Sequence, residues 1–238
     1  MLDNHFPENQ KRPRIISYWL EIILLYSVIY LPGMLVQSQP QADLFDSITY
    51  YITYYATVVP QIILILFFIT KYRGLSLKEF GIHTPSVQTI IEAISFSIMV
   101  FAGVYGFSYL ISFLFPEGLG SPVQGFRWSF SSPALIPFMI FSSLLTGYSE
   151  ELFFRSYLLT YLEKMKITKP VSILFSSLLF GVGHLYQGLL GGITTFLLGL
   201  TFAVIFFYYK RDLHLIALIH GFYNSAVLLL TLFLQEIR

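Results

Sequence analysis

The sequence predicts an all-α polytopic membrane protein of about seven transmembrane helices with a four-helix catalytic core. Three observations carry that expectation. The chain is 55% hydrophobic and only 11% charged, with a mean hydropathy of +0.70, outside the range of soluble globular domains. Apolar stretches of about 18 residues or more recur, long enough to cross roughly 30 Å of hydrocarbon. Inside those stretches the ionisable side chains are few, among them Glu150, Glu151, Arg155, His184 and His220. Each is costly in lipid unless it is paired or used.

The elements follow in order. Residues 1–14, MLDNHFPENQKRPR, are too long and too acidic for the leading part of a signal peptide. The apolar segment after them has no small-residue cleavage site, so a retained first span is expected near 16–36. Further spans are expected near 50–70, 87–115, 133–160, 170–187, 191–209 and 213–235. The third is long, and such a length is absorbed by tilting or breaking. The sixth carries Gly188, Gly192, Thr195, Gly199 and Ala203 at steps of three and four, a stripe that lets a neighbouring helix come close.

Basic residues mark the sides. Lys11, Arg12 and Arg14 precede the first span. Lys71, Arg73 and Lys78 separate the second from the third, Lys164, Lys166 and Lys169 the fourth from the fifth, and Lys210 and Arg211 the sixth from the seventh. The opposite connections hold only Arg127. The alternation puts the N-terminus in the cytoplasm and the C-terminus outside. Trp19, Trp128, Tyr208 and Tyr209 flank spans and suit interfacial belts. Two regions are expected: 1–129 with three spans, and 130–238 with four.

Some classes are excluded. The chain has no cysteine, hence no disulfide, no cysteine nucleophile and no thiolate metal site. No basic face suggests nucleic acid.

The polar residues fall in one slab. At about 1.5 Å per residue, Glu150 and His184 lie roughly 20 Å from the basic ends of their spans, Asn224 roughly 16 Å and His220 about 10 Å. This points to one cavity, expected to open to the cytoplasmic side. Glu150 and Glu151 are successive and point about 100° apart, so they cannot share a role. Glu151 and Arg155 are four apart, acid first, the favourable order for an ion pair. His220 and Asn224 are four apart on one face. His83 and His214, at span ends or in loops, are expected to be solvated. Glu92 is expected at the interface.

A carboxylate beside an imidazole can hold a water and take its proton, and a second imidazole with an amide can stabilise an oxyanion. Together these make a hydrolase of amides or esters. No G-x-S-x-G marks a serine nucleophile and no HExxH marks a zinc site, although two histidines and a glutamate leave zinc open.

Glu150-Glu151-Leu-Phe-Phe-Arg155 resembles the EExxxR motif of the CAAX protease and bacteriocin-processing family of intramembrane glutamic endopeptidases. Phe180-Gly-Val-Gly-His184 resembles its FxxxH motif, and His220-Gly-Phe-Tyr-Asn224 its HxxxN motif. The three come in the family's order on separate spans, and the resemblance covers residues 130–230. The segment LSLKEFGI is similar to the stretch that often precedes that core. The resemblance implies that Glu150 and His184 activate water and that His220 and Asn224 form the oxyanion hole. It implies that Glu151 and Arg155 support the site and that Phe180 packs beside the imidazole. It implies no cofactor, with zinc the alternative. The expected substrate is a membrane-associated protein or peptide. The expected location is a bacterial cytoplasmic membrane, with the active site facing the cytoplasmic half. A non-proteolytic scaffold or bacteriocin self-immunity protein of the same family is the alternative. A proton-coupled transporter with Glu150 and His184 as a relay is disfavoured by the lack of internal repeats.

Overall fold

The computed structural model describes residues 15–32, 47–115 and 133–236. Among these residues every regular element is helical, and the helices line up as seven rods. Helix α1 is Ile15–Ile29 and buries Tyr18, Glu21, Ile22, Leu25 and Ile29 on one stripe. Helix α2, Ile48–Phe67, starts where Ser47 Oγ accepts from the Thr49 amide and ends in a π-helical turn, Phe68–Tyr72. Helix α3, Val87–Leu114, is capped by Ser86, runs unbroken for 28 residues and exceeds the bilayer's hydrocarbon thickness. Helix α4 is Ile136–Glu151, and its rod continues through a π-helical segment, Leu152–Leu158, into α-helical Leu159–Lys164. Helices α5 (Lys169–Gly183) and α6 (Leu189–Val204) follow, α6 ending in the π turn Ile205–Tyr209; α7 is Leu213–Glu236. Residues 33–36 of the expected first span, Lys11, Arg12, Arg14, Arg127, Trp128 and the boundary expected after residue 129 lie outside the described residues.

Four of the rods are long and apolar enough to cross a membrane: Ile48–Tyr72, Val87–Ile111, Leu189–Tyr209 and Leu213–Phe233. Helices α1 and α5 are apolar but shorter. The α4 rod is long enough but carries Glu150, Glu151 and Arg155, which lower its hydropathy. The outer and inner rods differ in packing. In α2 and α3 only 17% of the spanning window is buried, against 56% in α6 and 44% in α7. The outer pair accordingly presents Ile52, Ile63, Ile98 and Met99 to the surroundings.

Four ion pairs join different elements near the basic loops. Arg73 meets Glu21, Lys164 meets Glu79 at 2.5 Å, Lys210 meets Glu92 at 3.2 Å and Arg211 meets Glu163 at 2.6 Å. Glu92 therefore sits near that interface, paired. The segment LSLKEFGI folds into this end. A capping box of Ser76 and Glu79 starts the 3-10 turn Leu77–Phe80. Gly81, at φ 73°, turns the chain back, and its carbonyl accepts from the Leu213 amide at 2.8 Å. Phe80 is thereby driven into the bundle, where its carbonyl accepts from Ser156 Oγ at 2.6 Å.

Two close crossings hold the inner helices. A side chain at Gly147 would meet the Ala217 carbonyl at 2.5 Å, and one at Gly221 would meet Leu144 at 2.8 Å, so α4 and α7 touch backbone to backbone. Gly181 and Gly192 bring α5 against α6 in the same way. The expected stripe on α6 is thus largely a packing surface. Gly188 is the exception: it sits at φ 87° in the turn before α6, with no atom near its missing side chain.

Candidate active site

The last α-helical turn of α4 carries both glutamates, and they diverge as their 100° separation requires. Glu151 turns into the protein and is wholly buried, as is Arg155. Arg155 Nη1 donates to Glu151 Oε1 at 3.2 Å, and its Nε lies 3.1 Å from Oε2. Nη2 donates to the Gly199 carbonyl at 3.2 Å. The guanidinium is stacked 4.4 Å from the Phe180 ring, with Phe154 and Phe202 each at 5.6 Å. A buried cation is thus matched by a carboxylate, a carbonyl and three ring faces. The pair spans the start of the π-helical segment 152–158, and such segments often occur at functional sites.

Glu150 faces the other way, between two imidazoles. His184 Nε2 lies 3.8 Å from its Oε1, and His220 Nε2 lies 3.8 Å from its Oε2. Counting residues along the helices puts these polar groups at one level, and the distances agree. The other ring nitrogens are taken. His184 Nδ1 is 2.8 Å from the Phe180 carbonyl, and His220 Nδ1 is 2.8 Å from Glu151 Oε1. Both partners are acceptors only, so Nδ1 carries the proton in each ring. In its neutral form His184 with Nδ1 so committed presents a lone pair at Nε2. Phe180 locks the arrangement, with its ring 4.7 Å from His184 and 6.0 Å from His220. Glu150 Oε2 is buried without a hydrogen-bond partner. At 3.8 Å the imidazoles are too far for direct bonds and leave room for a bridging water.

These groups form one wall of a cavity of about 670 Å³. Glu150, Phe180, His184, His220 and Asn224 all line it, whereas Glu151 and Arg155 lie behind. Sequence reasoning missed its other walls. Tyr50, Tyr51 and Tyr54 of α2 face it, and the Tyr54 hydroxyl bonds Thr146, one turn before Glu150. The repeat YYITYY at the start of α2 was the available signal: tyrosines four apart share a helix face. Tyr30, which packs against Phe153 and Phe154 and does not line the cavity, has a buried hydroxyl without a hydrogen-bond partner. His83 is exposed, as expected, but His214 is half-buried with its Nδ1 3.1 Å from the Tyr148 hydroxyl. That corrects the expectation of a solvated ring: the first turn of α7 packs against α4.

A larger correction concerns direction. The cavity does not open toward the basic loops. It extends from Glu150 to Tyr51, Tyr109, Met139, Gln187 and Thr231, all at the opposite helix ends. A depth of roughly 20 Å from the basic end already passes the middle of a core about 30 Å thick.

Residues 132–226 match the family model of the type II CAAX prenyl endopeptidase Rce1-like proteins. This segment is an Rce1-like domain. It runs from just before α4 into α7 and contains all seven candidate residues, Glu150, Glu151, Arg155, Phe180, His184, His220 and Asn224. No curated protein and no solved structure matches the chain. With this segment matched and four helices among the described residues long and apolar enough to cross a bilayer, the chain is an integral membrane protein.

Proposed function

We propose that the protein is an intramembrane endopeptidase that hydrolyses a peptide bond of a membrane-associated protein or peptide. The observation that carries this reading is the Glu150 carboxylate. It is held between two Nε2 atoms at 3.8 Å, with one oxygen buried and unpartnered, in the wall of a cavity large enough for a peptide.

A water in the gap gives one hydrogen to Glu150 Oε1 and the other to the lone pair of His184 Nε2. Its oxygen then points into the cavity. As it attacks the scissile carbonyl carbon, Glu150 takes its proton. The carbonyl oxygen becomes an oxyanion, which the Asn224 amide and His220 Nε2–H bind. Because His220 Nδ1–H is given to Glu151, Nε2 carries a hydrogen only in the imidazolium form. Two carboxylates flank that ring, Glu150 at 3.8 Å and Glu151 at 2.8 Å, and Arg155 holds Glu151 in place. When the intermediate collapses, the carbon–nitrogen bond breaks and Glu150 returns its proton to the leaving amine. One water is consumed and one acid and one amine are released.

The clustering of basic loops at one end supports a cytoplasmic N-terminus. Purified protein in detergent, incubated with membrane peptides, tests the chemistry. Glu150→Gln lowers cleavage by about two orders of magnitude or more, with melting unchanged. Near-normal turnover in Glu150→Gln, with loss in Glu151→Gln, reverses the roles.

A further inference from the structure

Access to the site has a direction. Going from Glu150 toward the basic loops, the bundle is solid. Phe80, Phe153, Tyr157 and Tyr161 are wholly buried there and packed ring on ring, with centroids of Tyr157 and Tyr161 4.4 Å apart and of Phe80 and Tyr161 5.8 Å apart. Beyond them the ion pairs Lys164–Glu79, Arg211–Glu163 and Lys210–Glu92 tie the loops across that end. None of the basic residues of these loops lines the cavity. Going the other way, each of α2, α3, α4, α6 and α7 contributes lining residues from the half farther from the basic loops. The short turn Leu185–Gln187 between α5 and α6 closes one side.

The walls there mix apolar side chains such as Val104, Met139 and Leu228 with polar ones. Apart from Glu150 and the two histidines, the lining has no charged side chain, but it is rich in hydroxyls, among them Tyr50, Tyr54, Ser142, Thr146, Thr195 and Thr231. Hydroxyls both give and accept hydrogen bonds, which suits a polypeptide backbone with its alternating N–H and C=O groups.

Basic loops stay in the cytoplasm because Lys and Arg resist translocation. Combining that rule with the cavity's direction, we infer that the scissile segment reaches Glu150 from the outer, non-cytoplasmic face. The substrate is then a peptide exposed at, or anchored in, that face. That a peptide is cleaved there rests on the endopeptidase reading, but the side of access rests only on the cavity's place in the bundle and the charge of the loops.

The absence of cysteine makes the test clean, since an introduced thiol is unique. Three full-length variants are made: Ser142→Cys in the cavity wall, Gln187→Cys at the outer turn and Lys166→Cys in a basic loop. Each is treated with a membrane-impermeant cationic methanethiosulfonate in right-side-out and in inside-out vesicles. Expected are modification of Ser142→Cys and Gln187→Cys at least about ten-fold faster from the outer face, and of Lys166→Cys from the inner face only. Ser142→Cys replaces one small side chain by another of like shape, and Gln187→Cys reports the side even where the cavity variant is poorly made. Modification of Ser142→Cys only from the inner face, or from neither, overturns the proposal, as does a reversed pattern at Gln187 and Lys166. Labelling needs no turnover. If Ser142→Cys reacts from outside but the purified protein cleaves nothing, the hydrolytic reading fails and the access claim holds. Cleavage together with labelling only from inside sinks the access claim and leaves the hydrolytic reading standing.

Discussion

The half of the bundle near the basic loops and the half beyond Glu150 are built from the same helices in different ways. In the first, large rings such as Phe153, Tyr157 and Phe206 are wholly buried and Phe80 is driven in from a loop. In the second, the same α4 carries Ser142, Ser143 and Thr146, and the space between helices stays open as a cavity of about 670 Å³. The dividing level is the polar cluster. Arg155 and Glu151 belong to the packed half; Glu150 and Asn224 belong to the hollow one, and His220 touches both by bonding Glu151 and facing Glu150. The contrast teaches that precision here comes from below. A site with room for substrate cannot brace its own side chains on that side, so a close-packed base has to hold them.

The largest way to break this comparison is to damage the base. Arg155 and Glu151 are wholly buried and paired. Removing one partner leaves the other charge uncompensated, which costs roughly 3–5 kcal/mol in a buried site. Arg155→Ala is expected to melt well below wild type in detergent. Glu151→Gln combined with Arg155→Met is expected to recover part of the loss, since the new amide still offers His220 Nδ1 a carbonyl acceptor. Melting curves for single and double variants that overlay on wild type would show that the buried pair braces nothing.

Next comes the hollow half, where activity and stability should separate. Asn224 lines the cavity one turn beyond His220. Losing one oxyanion donor costs about 10²–10³ in kcat. Asn224→Ala is expected to show that fall at little change in KM and melting temperature. A raised KM at unchanged kcat would make Asn224 a ground-state binder instead.

The crossing that joins the halves gives a smaller effect. Gly147→Ala forces a methyl group to 2.5 Å from the Ala217 carbonyl, and backbone cannot yield cheaply. Overpacking of this kind costs about 1–3 kcal/mol. It also pushes α7, and with it His220, away from Glu150, so cleavage falls as well. Gly106→Ala on α3 is the control, since nothing lies within 4 Å of its missing side chain. Equal melting of the two variants would show that the α4–α7 approach is not tight.

Much of the fold was legible because apolar length and its interruptions are properties of the sequence. The seven rods lie close to their expected spans, and Glu150, His184, His220 and Asn224 come from three separate spans to one cavity. Three features were not legible, each for a physical reason. The partner of His220 Nδ1 depends on how α7 is rotated against α4, and a four-residue spacing speaks only for contacts within one helix. The π-helical segment 152–158 carries no residue pattern that sets it apart from α-helix. The direction of the cavity depends on where side-chain volume runs out. Counting residues from the basic ends located the glutamate, but the open space beyond it is shaped by Tyr54 of α2 and Tyr105 of α3, far off in sequence.

The smallest expected effect is that of chelation, and it asks whether the hollow half uses side chains alone. A zinc site would draw on His184 and His220 and a carboxylate. Each ring has one nitrogen committed, to the Phe180 carbonyl and to Glu151, so each could bind metal only through Nε2. That alone is compatible with zinc, because a ligating histidine commonly gives its other N–H to a carbonyl or carboxylate. The discrimination lies in what remains. Glu150 is the only carboxylate among the described residues that line the cavity, and one turn beyond His220 on α7 stands the amide of Asn224, a poor zinc ligand. If Glu150 bound a metal it would no longer be free to take the proton from water, and the proposed chemistry would need another base. Cleavage is therefore expected to be unchanged after treatment with a strong chelator, and elemental analysis to find no stoichiometric zinc. One zinc per chain that disappears in His184→Ala and His220→Ala, with activity lost on chelation and restored by added zinc, would replace the glutamate mechanism by metal-assisted hydrolysis.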